Sequence, residues 1–206
     1  MFITFEGIDA CGKTTQYRLL TEMLKERNIP FIFIREPGGT KAGEDIRKIL
    51  LHNDYSLSHK TEVLLFVASR AQLTKNIIAP ALAEGKVILA DRFMDSSVAY
   101  QGYGRGLGSK IVESLNNFAV GEYTPDITFF VDITVDEAFK RMKLSKKNDK
   151  IEIEGKDFFE KVRNGYFELM KENKDRFIYI DGMKKEKEVF EKIKEVFLQK
   201  YSKKKR

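Results

Sequence analysis

Gly7-Ile8-Asp9-Ala10-Cys11-Gly12-Lys13-Thr14-Thr15 carries the spacing G-x-x-x-x-G-K-[ST], and its residue types are those a polyphosphate chain demands. Several backbone N–H donors must converge on the anion, and side chains would obstruct them, hence Gly7 and Gly12. A helix that begins near Lys13 points its positive end at the phosphates. Lys13 then sets a cation against the β- and γ-phosphates, and the Thr14 hydroxyl is suited to a Mg²⁺ ion. The expected ligand is a nucleoside triphosphate.

Other residues could serve a second ligand. Phe66 and Arg70 stand i, i+4, an aromatic face beside a guanidinium, which would suit a pyrimidine. The same spacing also fits Phe66 as a core residue beside Val63 and Arg70 as a solvated charge. Ser97 and Gln101 are a polar pair at i, i+4. Asp91-Arg92 follows an apolar run, where a strand would end, and a guanidinium there could clamp a phosphate; a structural ion pair is the other reading. Residues 140–150 hold six basic residues and one acid. They could form a flap over a phosphate donor or a solvated helix face. Cys11, beside Lys13 at a helix start, is either a small space-filler or a reactive thiol.

These residues need elements to hold them. Phe2–Glu6, Phe31–Arg35, Val87–Asp91, Ile127–Asp132 and Phe177–Asp181 are short and nearly continuous in apolar character, as parallel strands covered on both faces are. Residues 13–27, 61–82 and 184–200 show helical periodicity. The alternation predicts an open α/β sheet with right-handed crossovers. The glycine-rich stretch 102–108 reads as a loop. Residues 144–155 read as part of a flap spanning about 141–155, and the basic tail 200–206 as disordered.

The chain has 206 residues, 42% hydrophobic and 33% charged, enough for one domain with a full core and incompatible with disorder. Apolar runs are too short for a membrane helix, and no secretory pattern opens the chain, so a cytosolic location is expected. The single cysteine agrees with a reducing compartment. The net charge of +6 is concentrated in residues 140–150 and 203–206, leaving a near-neutral body. That distribution argues against a nucleic-acid partner. Asn173-Lys174-Asp175-Arg176 has the wrong spacing for a guanine-reading motif, and a large ATPase would need more chain. A small-molecule kinase remains.

Phe5-Glu6-Gly7-Ile8-Asp9, Arg35-Glu36-Pro37-Gly38-Gly39-Thr40, Asp91-Arg92-Phe93, Ala99-Tyr100-Gln101-Gly102 and Pro125-Asp126-Ile127-Thr128 occur in this order. Together they resemble the thymidylate kinase family over nearly the whole chain. The resemblance implies a P-loop nucleoside monophosphate kinase-like fold, five parallel strands flanked by helices with a lid, and a single domain over 1–206. It implies ATP-dependent phosphorylation of dTMP to dTDP with Mg²⁺, usually by a homodimer. In that family the Phe66–Arg70 pair contacts thymine, and Arg92 holds the acceptor phosphate. By the same resemblance Asp9 approaches the acceptor's 3′-hydroxyl and Tyr100 the sugar. Arg35 organises the acceptor phosphate, Glu36 follows it in the site, and Thr14 and Asp91 are the candidates to face the metal. Bacterial-type members lacking a P-loop arginine supply one from the lid. Here Lys150 stands where that arginine is expected, and Arg141 lies at the lid's base. Ala10 occupies a position where the family commonly has glycine, so a positive φ is not expected there. The competing readings are another nucleotide or nucleoside acceptor, and a nucleotide-binding switch or nucleic-acid-binding protein that uses the basic patches.

Overall fold

A computed structural model describes residues 1–51, 55–144 and 154–204. Five strands, β1 (Phe2–Glu6), β2 (Phe31–Arg35), β3 (Val87–Asp91), β4 (Ile127–Asp132) and β5 (Phe177–Asp181), pair in parallel in the order β2-β3-β1-β4-β5. Each falls where the apolar run predicts it. Side chains alternate between two cores: Ile3, Phe5, Val87 and Leu89 join one, and Phe2, Ile88 and Ala90 the other. Burial on both faces is why no polar alternation marks these strands. β2 and β3 lie on one side of β1 and β4 and β5 on the other, so the winding reverses at β1. The carboxyl ends of strands around such a reversal border a ligand crevice.

The helices are α1 (Lys13–Glu26), α2 (Lys41–Leu51), α3 (His59–Leu73), α4 (Ala79–Ala83), α5 (Met94–Ser97), α6 (Ser109–Val120), α7 (Val135–Leu144), α8 (Gly155–Glu172) and α9 (Glu186–Lys204). Helix α3 starts earlier than its periodicity suggests because Ser58 caps it, its hydroxyl accepting from Thr61 N at 3.1 Å. The expected single helix 61–82 is interrupted by a π-helical turn at Thr74–Ile78. Pro80 follows, and its ring and missing N–H cannot be fitted into a regular α-helical turn.

Two expectations about irregular segments change. The 102–108 stretch is not wholly loop: Val98–Gly104 forms a second π-helical turn. Its glycine content reflects packing, since a Cβ on Gly104 would lie 2.7 Å from the Phe158 ring. The tail from 200 onward continues α9 through Lys204, whose ammonium donates to both carboxylate oxygens of Asp126 at 2.7 Å. Val189, Ile193, Val196 and Phe197 dock this helix on the core, and Lys200, Lys203 and Lys204 ride on it; Lys205 and Arg206 lie outside the described residues. Among the described residues no helix is long and apolar enough to cross a membrane.

Candidate active site

β1 ends at Glu6, and the loop of residues 7–12 turns the chain into α1. Gly7 holds φ +135°, and a Cβ there would sit 2.2 Å from the Val131 carbonyl oxygen, so only glycine fits. Ala10 adopts φ +59°. This corrects the expectation for that position: the turn needs the left-handed region whether or not glycine supplies it, at a cost of about 1–2 kcal/mol for alanine. Gly12 precedes α1 without a side-chain cap, and the first turn carries no acid. The amino end of the helix is therefore left for an anion. Lys13 is 7% exposed, and its Nζ donates to the carbonyls of Gly7 (3.1 Å) and Ile8 (3.0 Å) and to Cys11 Sγ (3.4 Å). Ile8 and Cys11 are buried and Thr14 is exposed, with Thr15 partly so. Cys11 is thus a packed space-filler, closed to a reagent from solvent.

Across the crevice, Arg92 at the end of β3 has φ +66°. Its Nη1 donates to Gly7 O (2.8 Å), Ser96 Oγ (3.1 Å) and Tyr166 OH (3.2 Å). Its Nη2 donates to Asp9 Oδ1 (2.7 Å) and Tyr100 OH (3.0 Å). Tyr100 in turn donates to Asp9 Oδ2 at 2.8 Å, and its ring lies 4.9 Å beneath the guanidinium. Burial opposes the charge on Arg92, but Tyr100, Asp9 and Tyr166 more than offset it and raise its pKa. Burial likewise opposes ionised Asp9, yet Arg92, Lys13 and the Tyr100 hydroxyl hold it below the usual carboxylate range. Asp9, Arg92 and Tyr100 therefore form one bonded unit, with Lys13 acting on Asp9 through its charge.

Behind Arg92 lies a layer whose role no motif reveals, although Glu6 itself stands in Phe5-Glu6-Gly7-Ile8-Asp9. Glu6 is fully buried and accepts from Phe93 N (2.7 Å), Ser96 Oγ (2.5 Å) and Tyr166 OH (3.0 Å). Burial and the nearby Asp95 push Glu6 up to about 7, against the pull of its donors and Arg92. These bonds grip the residue after Arg92 and two side chains that touch its guanidinium, which fixes a strained turn.

On the α3 side, Arg70 is 1% exposed and is not a solvated charge. Its Nε donates to Glu36 Oε2 at 2.9 Å, its Nη2 pairs with the same carboxylate, and its Nη1 donates to Asn116 Oδ1 at 2.5 Å. Glu36 thus enters the site through Arg70. Phe66 is half-buried and belongs to neither core cluster, which sets aside the core reading. Ser97 is buried at the end of α5, and Gln101 donates to Glu62 Oε1 at 2.8 Å.

Arg35 is exposed and pairs with Glu44 at 3.6 Å. Arg47 donates to Pro37 O at 2.8 Å, and burial together with Arg35 lowers its pKa. Two guanidiniums thus approach the carboxyl end of β2. Asp91 Oδ1 is buried with no partner. Magnesium bound mainly through phosphates asks for only one or two protein oxygens; this orphaned carboxylate oxygen and the exposed Thr14 hydroxyl are donors of that class. At the foot of the expected lid, Arg141 is held by Glu137 (2.8 Å) and donates to Ala10 O (3.4 Å) and Gly182 O (3.2 Å), so it touches the phosphate loop. Lys150 lies outside the described residues.

Comparison with known proteins shows the family. The family model described as Thymidylate kinase matches residues 5–193. The chain belongs to the thymidylate kinase family. It is 54% identical to a thymidylate kinase of Kosmotoga olearia over 198 residues, 96% of this chain and 95% of that one. It is 50% identical to a thymidylate kinase of Fervidobacterium nodosum over 197 residues, covering 96% and 98%. The crystal structure of thymidylate kinase from Ehrlichia chaffeensis superposes with a TM-score of 0.77 at 36% identity, covering 96% of this chain and 98% of the other. The P-loop nucleoside monophosphate kinase-like fold is therefore observed, and the chain is a kinase.

Sequence reasoning about this family member missed Glu6, Ser96, Tyr166, Glu62, Asn116 and Arg47. Glu62 had a readable signal, one helical turn before Phe66, and Glu6 stands inside a quoted motif that does not disclose its role. Tyr166 reaches Glu6 across 160 positions of sequence, and no local spacing could report that.

Proposed function

We propose that the crevice brings two nucleotides together end to end, with ATP on the loop of residues 7–15 and dTMP between α3, Arg92 and the second π-helical turn. As a thymidylate kinase family member, the chain phosphorylates dTMP to dTDP with ATP. The γ-phosphoryl group passes to an oxygen of the dTMP 5′-phosphate while its bond to the bridging oxygen breaks and ADP leaves. The observation that carries this reading is Arg92, bonded at once to the phosphate loop (Gly7 O) and to Asp9 and Tyr100. A cation in that position touches both halves of the site.

The residues act in stages. Uncapped amides of α1 and the Lys13 ammonium neutralise the donor's phosphates. Arg92 and the Arg35–Arg47 pair draw in the acceptor phosphate, and Arg92 stabilises charge on the transferring group. Phe66 stacks on the base, with Arg70, Ser97 and Gln101 at its edge. Asp9 and Tyr100 face the sugar, Asp9 as an acceptor for the 3′-hydroxyl. Thr14 and Asp91 would hold magnesium, which when bound supplies charge neutralisation across the donor phosphates. Arg141 contributes a further cation beside the phosphate loop. The crowded carboxylates and guanidiniums are preorganised, so little reorganisation accompanies charge transfer.

Leu64 and Ala68 on α3 and Ile111 and Phe118 on α6 are exposed, Phe118 to 91%. These adjoining helices support a homodimer through that face, which sedimentation at graded concentrations would measure.

A coupled ADP-release assay with dTMP, dUMP, UMP, CMP, AMP and GMP tests the assignment. The expected result is a kcat/KM greatest for dTMP. Equal rates across purine and pyrimidine acceptors would overturn it.

A further inference from the structure

We propose that Glu62 is a positioning residue that sets which pyrimidine the crevice accepts, by fixing the side-chain amide of Gln101 with its carbonyl oxygen toward the base. The inference rests on the reading that Phe66 stacks on the acceptor base. Glu62, Phe66 and Arg70 succeed one another at i, i+4, i+8 along α3, so they share a face. Gln101, in the second π-helical turn, is 5% exposed, and its Nε2 donates to Glu62 Oε1 at 2.8 Å.

The chemistry of the pair leaves one orientation. A carboxylate is an acceptor with nothing to donate, so it can face only the NH₂ of a primary amide. The planar amide must then turn Oε1 away from Glu62. Glu62 is itself held: Arg105 Nε reaches its Oε1 and Arg105 Nη2 its Oε2, both at 3.4 Å. Arg105 is fixed in turn by a pair with Glu154 and by the Phe158 ring, 4.8 Å from its guanidinium. The carboxylate cannot rotate away without breaking those contacts.

A base held against Phe66, one turn from Glu62, brings its edge within reach of Gln101. Thymine and uracil present N3–H, a donor, to a fixed carbonyl oxygen. Cytosine presents a bare N3, an acceptor, and would leave two acceptors opposed. Unpaired polar groups of that kind are what make a hydrogen-bonding site reject a near-isostere. Without Glu62 the amide is free to flip, and its NH₂ would then accept cytosine. Glu62 thus acts through Gln101 and need not touch the substrate.

The test compares kcat/KM for dTMP and dCMP in the full-length wild type, Glu62→Gln, Glu62→Asp, Gln101→Ala and the Glu62→Gln/Gln101→Ala double variant. Glu62→Asp keeps a charge opposite Arg105 but is one methylene too short for the amide, so it separates charge pairing from orientation. The expected result is a dTMP-to-dCMP ratio reduced at least about tenfold in both Glu62 variants, the size of one hydrogen bond. The loss should fall more on KM for dTMP than on kcat, and it should vanish in the Gln101→Ala background. An unchanged ratio, or equal losses on both nucleotides, would overturn the proposal, as would additive effects in the double variant. A wild type that fails to prefer dTMP would instead overturn the underlying reading of the site.

Discussion

The two walls of the crevice are built by opposite means. On the donor wall the backbone does the positioning: left-handed or extended-positive φ angles at Gly7, Ala10 and Gly12 shape the loop, and Lys13 is tethered by carbonyls five and six residues away. On the acceptor wall side chains do it. Arg92 is gripped by residues from the phosphate loop, α5, the second π-helical turn and α8, and Glu6 of β1 stands behind them. A backbone cradle fits any polyphosphate, because phosphate oxygens are alike. A side-chain network can be specific, because each member is a different donor or acceptor at a fixed place. Under the proposed reading, the donor wall confers affinity for a common ligand, and the acceptor wall selects and activates one partner.

The comparison breaks most sharply at Arg92. Arg92→Ala should lower kcat by about a thousandfold, the scale of losing a transition-state arginine, while ATP affinity measured by calorimetry stays near wild type. Loss of ATP binding to the same extent would mean the two walls are not separable. Next comes Glu6, whose cost is a matter of pH. Its pKa lies at about 7 in the folded chain against 4.5 ordinarily. Between those values the folded state retains a proton that the unfolded state has released. Stability therefore falls as pH rises through that window, and Glu6→Gln lacks this loss. Thermal denaturation should find Glu6→Gln gaining on wild type from pH 5 to pH 8 by on the order of 3 kcal/mol. A difference that does not vary with pH would show that the donors around Glu6 and Arg92 fully offset its burial.

Smaller effects refine the donor wall. Arg141→Ala should lower kcat about tenfold or more, and by more than Lys150→Ala, because Arg141 reaches the Ala10 carbonyl and offers a planar fork. The reverse order in steady-state rates would shift that role to Lys150. Ala10→Gly should raise stability by about 1 kcal/mol in chemical denaturation, the relief of a left-handed alanine less the entropy gained by the unfolded chain. A destabilised variant would show that the Ala10 methyl packs more strongly than its strain costs.

The same division explains what could be read from the chain. All five strands and the phosphate loop follow from local information, since apolar runs and glycine spacing act within a few residues. Arg92, Phe66 and Gln101 stand out by type and motif, and the structure brings Arg92 to Asp9 and Tyr100. Their supports do not stand out. Glu6 looks like the last residue of a strand, Tyr166 like one aromatic on a helix, and Asn116 like a neutral polar residue. Glu6 and Tyr166 acquire a role only when the sheet order sets β1, β3 and α8 side by side, and Asn116 only where α6 meets Arg70 of α3. Ala10 shows the converse. Residue type suggested an ordinary backbone, whereas the tight turn from β1 into α1 holds the positive φ angle. The helical course of residues 200–204 was hidden for a related reason, because lysine content describes solvent affinity and not the docking of α9.

The most direct test of the end-to-end arrangement is calorimetric titration of the full chain with thymidine and adenosine joined through their 5′ positions by five phosphates. Such a molecule fills both walls at once, and binding tighter than ATP by about a hundredfold or more is expected from linking two sites, with most of that gain lost in Arg92→Ala. Binding no tighter than ATP alone would contradict a crevice in which the two phosphate chains meet.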